Sequence, residues 1–125
     1  MAAKSDANLP QGSLDLLVLQ ALDGGPKHGY QIARHILSAS DDALRVEEGS
    51  LYPALHRMER RGWIAAEWGV SESNRRAKYY RLTRSGRSQL KVEVASWREM
   101  AEAIGKVIEA GKITPRSLPL PTWEA

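Results

Sequence analysis

The 125-residue chain contains no cysteine, which removes disulfides, thiolate nucleophiles and every zinc site that needs sulfur. Histidine is scarce as well. His28 and His35 lie seven residues apart, about 10.5 Å along a helix, too far to share an ion without a third element, and His56 stands alone. Neither a metal nor any other cofactor is expected. Long apolar runs are missing: the stretch Leu16-Leu17-Val18-Leu19 falls far short of the ~20 residues that a bilayer span requires. Lys4, Asp6 and Pro10 interrupt the amino-terminal residues, which therefore do not read as a secretory signal, and a cytoplasmic protein with no membrane partner is expected. There is no glycine-rich phosphate loop, no serine in a nucleophile elbow and no strand-borne pair of carboxylates. Glu47 and Glu48 are neighbours that point apart, better suited to starting a helix than to acid–base chemistry. The chain is not expected to be an enzyme.

What is present is ordinary globular material, with 42% hydrophobic and 26% charged residues, in a length that suits one core. The net charge of +3 is unevenly spread. Between Arg57 and Lys91 ten basic residues face three acidic ones, a local charge of +7, while the rest of the chain sums to −4. A basic block on an otherwise acidic chain points to a polyanion-binding face.

Apolar spacing predicts three short helices, a hairpin and one long helix. Ser13 is read as the N-cap of the first, with Asp15 in its positive first turn and Leu14, Leu17, Val18 and Leu22 on one face, up to the stop at Asp23-Gly24-Gly25-Pro26. The second covers about 28–38. After a link in which Leu44 and Val46 make a brief extended contact, the third runs over 50–61 and ends at Gly62, a C′ glycine. Pro53 removes a backbone donor, so Ser50 is placed at the N-cap and Pro53 in the first turn. Leu51, Leu55 and Met58 then face inward, leaving Tyr52, His56, Arg57 and Arg60 on an aromatic-basic front suited to a nucleic-acid groove. Beyond Gly62 the period becomes two. Residues 63–68 and 77–82 read as strands joined by a polar tip carrying Arg75 and Arg76, with Ile64, Tyr80 and Leu82 toward the helices and Lys78, Tyr79 and Arg81 nearer solvent.

Thr83 is a suitable N-cap for a helix over 84–110. Its apolar residues Leu90, Val94, Trp97, Ala101, Ile104 and Ile108 step by alternating fours and threes, a coiled-coil seam widened by Met100 and Val107. A stripe of this length exceeds what so small a domain can cover, and a homodimer is expected. The fold class is therefore mainly α with a small β-hairpin: a flexible arm (1–11), a winged helix-turn-helix DNA-binding domain (12–83), a dimerisation helix (84–110) and a flexible tail (111–125).

Three ordered motifs carry a family resemblance over roughly 9–108: Gly12-Ser13-Leu14-Asp15-Leu16-Leu17-Val18-Leu19; His28-Gly29-Tyr30 followed by Glu48-Gly49-Ser50-Leu51-Tyr52-Pro53-Ala54-Leu55-His56-Arg57-Met58-Glu59; and Arg75-Arg76-Ala77-Lys78-Tyr79-Tyr80-Arg81-Leu82-Thr83. The chain resembles the PadR family of transcriptional regulators. That resemblance implies a homodimer on a pseudo-palindromic, double-stranded operator, usually a repressor released by a small molecule. The single carboxy-terminal helix is similar to the family's smaller subclass, in which that helix packs on the partner's first and last helices and a tryptophan stacks a planar aromatic effector. Trp97 stands at the matching position, where it is either an interface anchor or an effector contact. DNA contacts are expected from Ser50, Tyr52, Pro53, His56 and Arg57 on the third helix, from Arg75, Arg76 and Lys78 on the wing, and from Tyr30 and Gln31 at phosphates, although Tyr30 also suits packing. The alternative reading is a winged-helix adaptor that offers its basic face to an acidic protein.

Overall fold

A computed structural model of the chain describes Leu9 and residues 12–111, so the expected arm and tail lie outside the described residues except for Leu9 and Gly111. The elements are α1 (Ser13–Asp23), β1 (Lys27–His28), α2 (Gly29–Ala39), α3 (Glu48–Arg60), β2 (Ile64–Val70), β3 (Arg76–Leu82) and α4 (Arg84–Ala110). Three short helices followed by a β-hairpin make a winged helix-turn-helix, mainly α with one small antiparallel sheet.

The apolar spacing of α1, α2 and α3 converges on one core. Val18, Leu19 and Leu22 of α1, Ile32 and Ile36 of α2, and Leu51, Leu55 and Met58 of α3 are buried, and Ile64, Tyr80 and Leu82 close the core from the sheet. Val46 is buried in the link before α3, but no strand forms there. The extra strand lies elsewhere. Lys27 and His28 pair with Tyr80 and Tyr79, giving a three-stranded sheet in the order β1-β3-β2 where a two-stranded hairpin was predicted. Two residues carry no period, so this strand leaves no pattern to read. It is held in place by Lys27 Nζ donating to the Ala21 carbonyl at 2.7 Å.

Two helix starts differ from expectation. Gly12, at φ 87°, precedes α1 in the left-handed region, and Ser13 is a buried residue of the first turn rather than its cap. Helix α3 begins at Glu48, with Glu47 extended before it and the Ser50 and Leu51 amides both donating to the Glu47 carbonyl. Ser50 is thus inside the helix and Pro53 stands in its second turn. The carbonyl deprived of its usual i+4 donor by Pro53 belongs to exposed Gly49, so the defect falls at the surface rather than in the core. The other end follows the sequence: the Gly62 amide donates to Glu59 and the Trp63 amide to Met58, a Schellman stop with Gly62 at φ 79°.

The wing is longer and its loop shorter than predicted, because β2 reaches Val70 and β3 starts at Arg76. Asn74 makes the reversal at φ 61°. Thr83 caps α4, its Oγ1 accepting from the Gly86 amide at 3.0 Å while donating to the Gly62 carbonyl at 2.6 Å. The chain divides into two compact units at Glu93 and Val94, ten residues later than the expected boundary at 83/84. The reason is that the start of α4 belongs to the core: Gly86 and Leu90 are its buried residues. In the second unit, the helical residues Trp97, Met100, Ile104, Val107 and Ile108 are exposed.

Candidate nucleic-acid interface

The His28-Gly29-Tyr30 motif is explained residue by residue. His28 caps α2: its Nδ1 accepts from the Gln31 amide at 3.3 Å, and Gln31 Oε1 accepts from the His28 amide at 3.0 Å. Gly29 makes room for the Tyr52 ring. A Cβ at position 29 would lie 2.4 Å from the Tyr52 hydroxyl, so only glycine lets α3 set this side chain against the start of α2. Tyr30 turns outward at 65% exposure, with the Arg34 guanidinium 6.0 Å from its ring centre.

On α3, Ser50, Tyr52, Pro53 and His56 are exposed on one front. Arg57 is only half exposed and pairs with Asp15 in the first turn of α1, so its charge also ties the front helix to the core. The wing supplies Arg75 and Arg76, both exposed. Arg76 lies over the Trp68 ring, its guanidinium carbon 4.2 Å from the ring centre, a cation–π contact that orders the side chain without neutralising it. Lys78 was expected nearer solvent but shares the face of Tyr80, as strand alternation requires two residues apart. It is half-buried, with its ammonium 3.5 Å from Glu59 and 5.6 Å from the Tyr80 ring centre. Gln31 is likewise engaged, its amide nitrogen donating to Glu72 at the wing tip.

Tyr30, Tyr52, Arg76 and Lys78 come together around an open hollow of about 390 Å³ between the starts of α2 and α3 and the wing, joined by Trp68 and Tyr80. Ser50, His56 and Arg75 stand outside it. Sequence reasoning missed Trp68, although its place opposite Lys78 in the strand register assigned it to the same side. It also missed Glu72, for which a single acid in a basic tip was the one signal. Burial, reinforced by Glu48, pushes the Tyr52 phenol above its ordinary value, and burial with Glu59 and Tyr52 does the same to Tyr80. The Glu72 carboxyl is held below its ordinary value, first by its own backbone N–H and then by His28 and Gln31.

Of the expected seam on α4, Leu90 is buried within the first unit and is not presented to a second chain. Val94 and Ala101 are half-buried, while Trp97, Ile104 and Ile108 are each at least half exposed. Among the described residues no group of three or more His, Asp or Glu could hold a metal, and no helix is long and apolar enough to cross a membrane.

Comparison with known proteins bears on this arrangement. Residues 18–92 match the PadR-like family of transcriptional regulators. A transcriptional regulator of Mycobacterium tuberculosis is 32% identical over 77 residues, covering 62% of this chain and 68% of its own. Among solved structures, a transcriptional regulator from Clostridium thermocellum superposes with a TM-score of 0.70 at 31% identity, over 77% of this chain and 93% of that one. A PadR family transcription regulator from Clostridium difficile superposes with a TM-score of 0.67 at 28% identity, over 78% and 99%.

Proposed function

Because the chain belongs to the PadR-like family of transcriptional regulators, we propose that it works in the cytoplasm as a homodimeric repressor, released from a pseudo-palindromic operator by a planar aromatic small molecule. The observation that carries the reading is the pairing of a basic winged-helix front with an uncovered apolar stripe on α4. Trp97, Ile104 and Ile108 are 50%, 51% and 54% exposed, and covering the exposed half of side chains of this kind contributes roughly 1 kcal/mol each. A second copy of α4 supplies a stripe of matching spacing and length. In the dimer Ser50, Tyr52, Pro53 and His56 face a major groove, with Arg57 beside them. Arg75 and Arg76 meet phosphates or the adjacent minor groove, and Tyr30, Gln31 and Lys78 border the strand between. Trp97 anchors the interface and offers a face on which the effector stacks. None of these roles is catalytic.

Sedimentation of the purified chain combined with selection of bound duplexes tests the proposal. A dimer at micromolar concentration is expected, selecting two half-sites about one helical turn, ~34 Å, apart. Ile104→Asp with Ile108→Asp is expected to yield folded monomers that lose the operator. A wild-type chain that stays monomeric, or that selects no duplex, overturns it. Quenching of Trp97 by planar aromatic compounds, accompanied by operator release, is expected for the effector step.

A further inference from the structure

One carboxylate fastens the tip of the wing to the start of α2. Glu72 Oε1 lies 3.2 Å from His28 Nε2, and Oε2 accepts from Gln31 Nε2 at 3.2 Å, so the contact joins segments 44 and 41 residues apart. The direction of the first bond follows from the cap. His28 Nδ1 accepts from the Gln31 amide, which leaves the ring proton on Nε2, where it donates to Glu72. Two uncharged donors at a helix start therefore converge on one negative group.

The charge of that group is out of place. Glu72 is the sole acid between Glu67 and Glu93, a stretch holding seven basic residues, and Arg75 and Arg76 follow it on the same wing. Its side chain is 69% exposed, so the contact contributes little to the core. On a front that meets a phosphate backbone, an exposed carboxylate repels what the neighbouring arginines attract. The donors it occupies suit a phosphate oxygen equally well.

We infer that Glu72 is an autoinhibitory stand-in for a DNA phosphate. In the free protein it holds the Gln31 amide and the His28 ring; on binding, the wing tip lets go and both donors pass to the backbone of the duplex. This rests on the DNA-binding reading above. Because the displaced group is an acid and the incoming one a sequence-independent phosphate, the latch lowers affinity for every duplex and makes Glu72 a setting of overall grip, not of base preference.

The test uses the full chain, its Glu72→Ala and Glu72→Gln variants, and Gln31→Ala in both the wild-type and Glu72→Ala backgrounds, titrated against operator and unrelated duplexes over a salt series. Melting near the wild-type temperature confirms that the exposed Glu72 substitutions leave the fold intact, and Gln31→Ala, which also removes the acceptor of the His28 amide, is expected to melt a few degrees lower by the same amount in both backgrounds. Both Glu72 variants are expected to bind all duplexes roughly threefold to tenfold more tightly at 0.1 M salt, with a salt slope steeper by up to about one. Gln31→Ala is expected to cost little in wild type, where it removes latch and phosphate contact together, and several-fold more in the Glu72→Ala background. Unchanged or weaker binding by Glu72→Ala, or an equal Gln31→Ala loss in both backgrounds, overturns the latch and leaves Glu72 as a brace for the wing. Failure of the wild-type chain to bind any duplex instead removes the regulator reading, and the latch with it.

Discussion

Gly86 is the position at which the junction between wing and long helix has least tolerance. A Cβ there would sit 2.9 Å from the Trp63 carbonyl carbon and 1.9 Å from its oxygen, the latter more than 1 Å inside the 3.0 Å that real Cβ atoms respect. The obstacle is backbone and cannot rotate aside. Gly86→Ala must therefore push α4 away from the α3–β2 turn. That movement strains the bonds from Thr83 Oγ1 to Gly62 at 2.6 Å and to Trp63 at 3.1 Å, together with that from Ser85 Oγ to Gly62 at 3.0 Å, and it opens the pocket that keeps Leu90 buried. Overpacking costs ~1–3 kcal/mol and weakened hydrogen bonds add ~0.5–1.5 kcal/mol each, against a gain of up to ~1 kcal/mol from alanine's helix propensity. A net loss of about 3 kcal/mol is expected, lowering the melting temperature by roughly 10–20 °C at fixed protein concentration. Gly49→Ala is the control, since nothing lies within 4 Å of its Cβ and the same chemical change should be neutral or stabilise by up to ~1 kcal/mol. Gly86→Ala melting within about 2 °C of wild type would refute the argument from close approach.

Three further outcomes are expected. Gly29→Ala forces the Tyr52 ring off the start of α2; because a side chain can swing, the cost is only about 1 kcal/mol, and calorimetry should find it smaller again in a Tyr52→Ala background, an equal cost in both contradicting the contact. Tyr52 and Tyr80 have folded-state phenols raised above 10.0, so the unfolded chain ionises first and stability falls as pH rises above 10; denaturant titrations of the Tyr52→Phe, Tyr80→Phe double variant should show a shallower alkaline loss, and an unaltered one would remove these phenols as the cause. Arg75→Ala with Arg76→Ala should weaken binding to all duplexes alike and flatten the salt dependence by about two counterions, and an unchanged slope would take the wing out of the interface.

Much of the fold was legible because it rests on local chemistry. The inward residues Leu51, Leu55 and Met58, the Gly62 stop and the Thr83 cap are each specified within a few positions, and all are found where spacing and capping place them. Where the reading slipped, a competing local signal was weaker than a distant contact. Ser50 and Pro53 together suggested a late start for α3, yet the helix begins at Glu48, since the Pro53 defect falls on an exposed carbonyl that tolerates it. Leu90 fitted the heptad spacing of the seam, but the approach of Gly86 to Trp63 draws that turn of α4 into the first unit.

The candidate interface divides in the same way. Periodicity and the placement of charge are properties of the chain itself, and they determined that α3 has an aromatic-basic front, that the wing carries arginines and that α4 bears an apolar stripe. Which of those charges remain uncommitted was decided in three dimensions. Arg57 meets Asp15 across 42 residues, Lys78 meets Glu59 across 19, and Glu72 reaches Gln31 across 41. A two-residue strand, a glycine under a tyrosine ring and an ion pair between helices leave no repeating pattern along a sequence. Each depends on the fold bringing distant groups within a few ångströms, where short-range forces act.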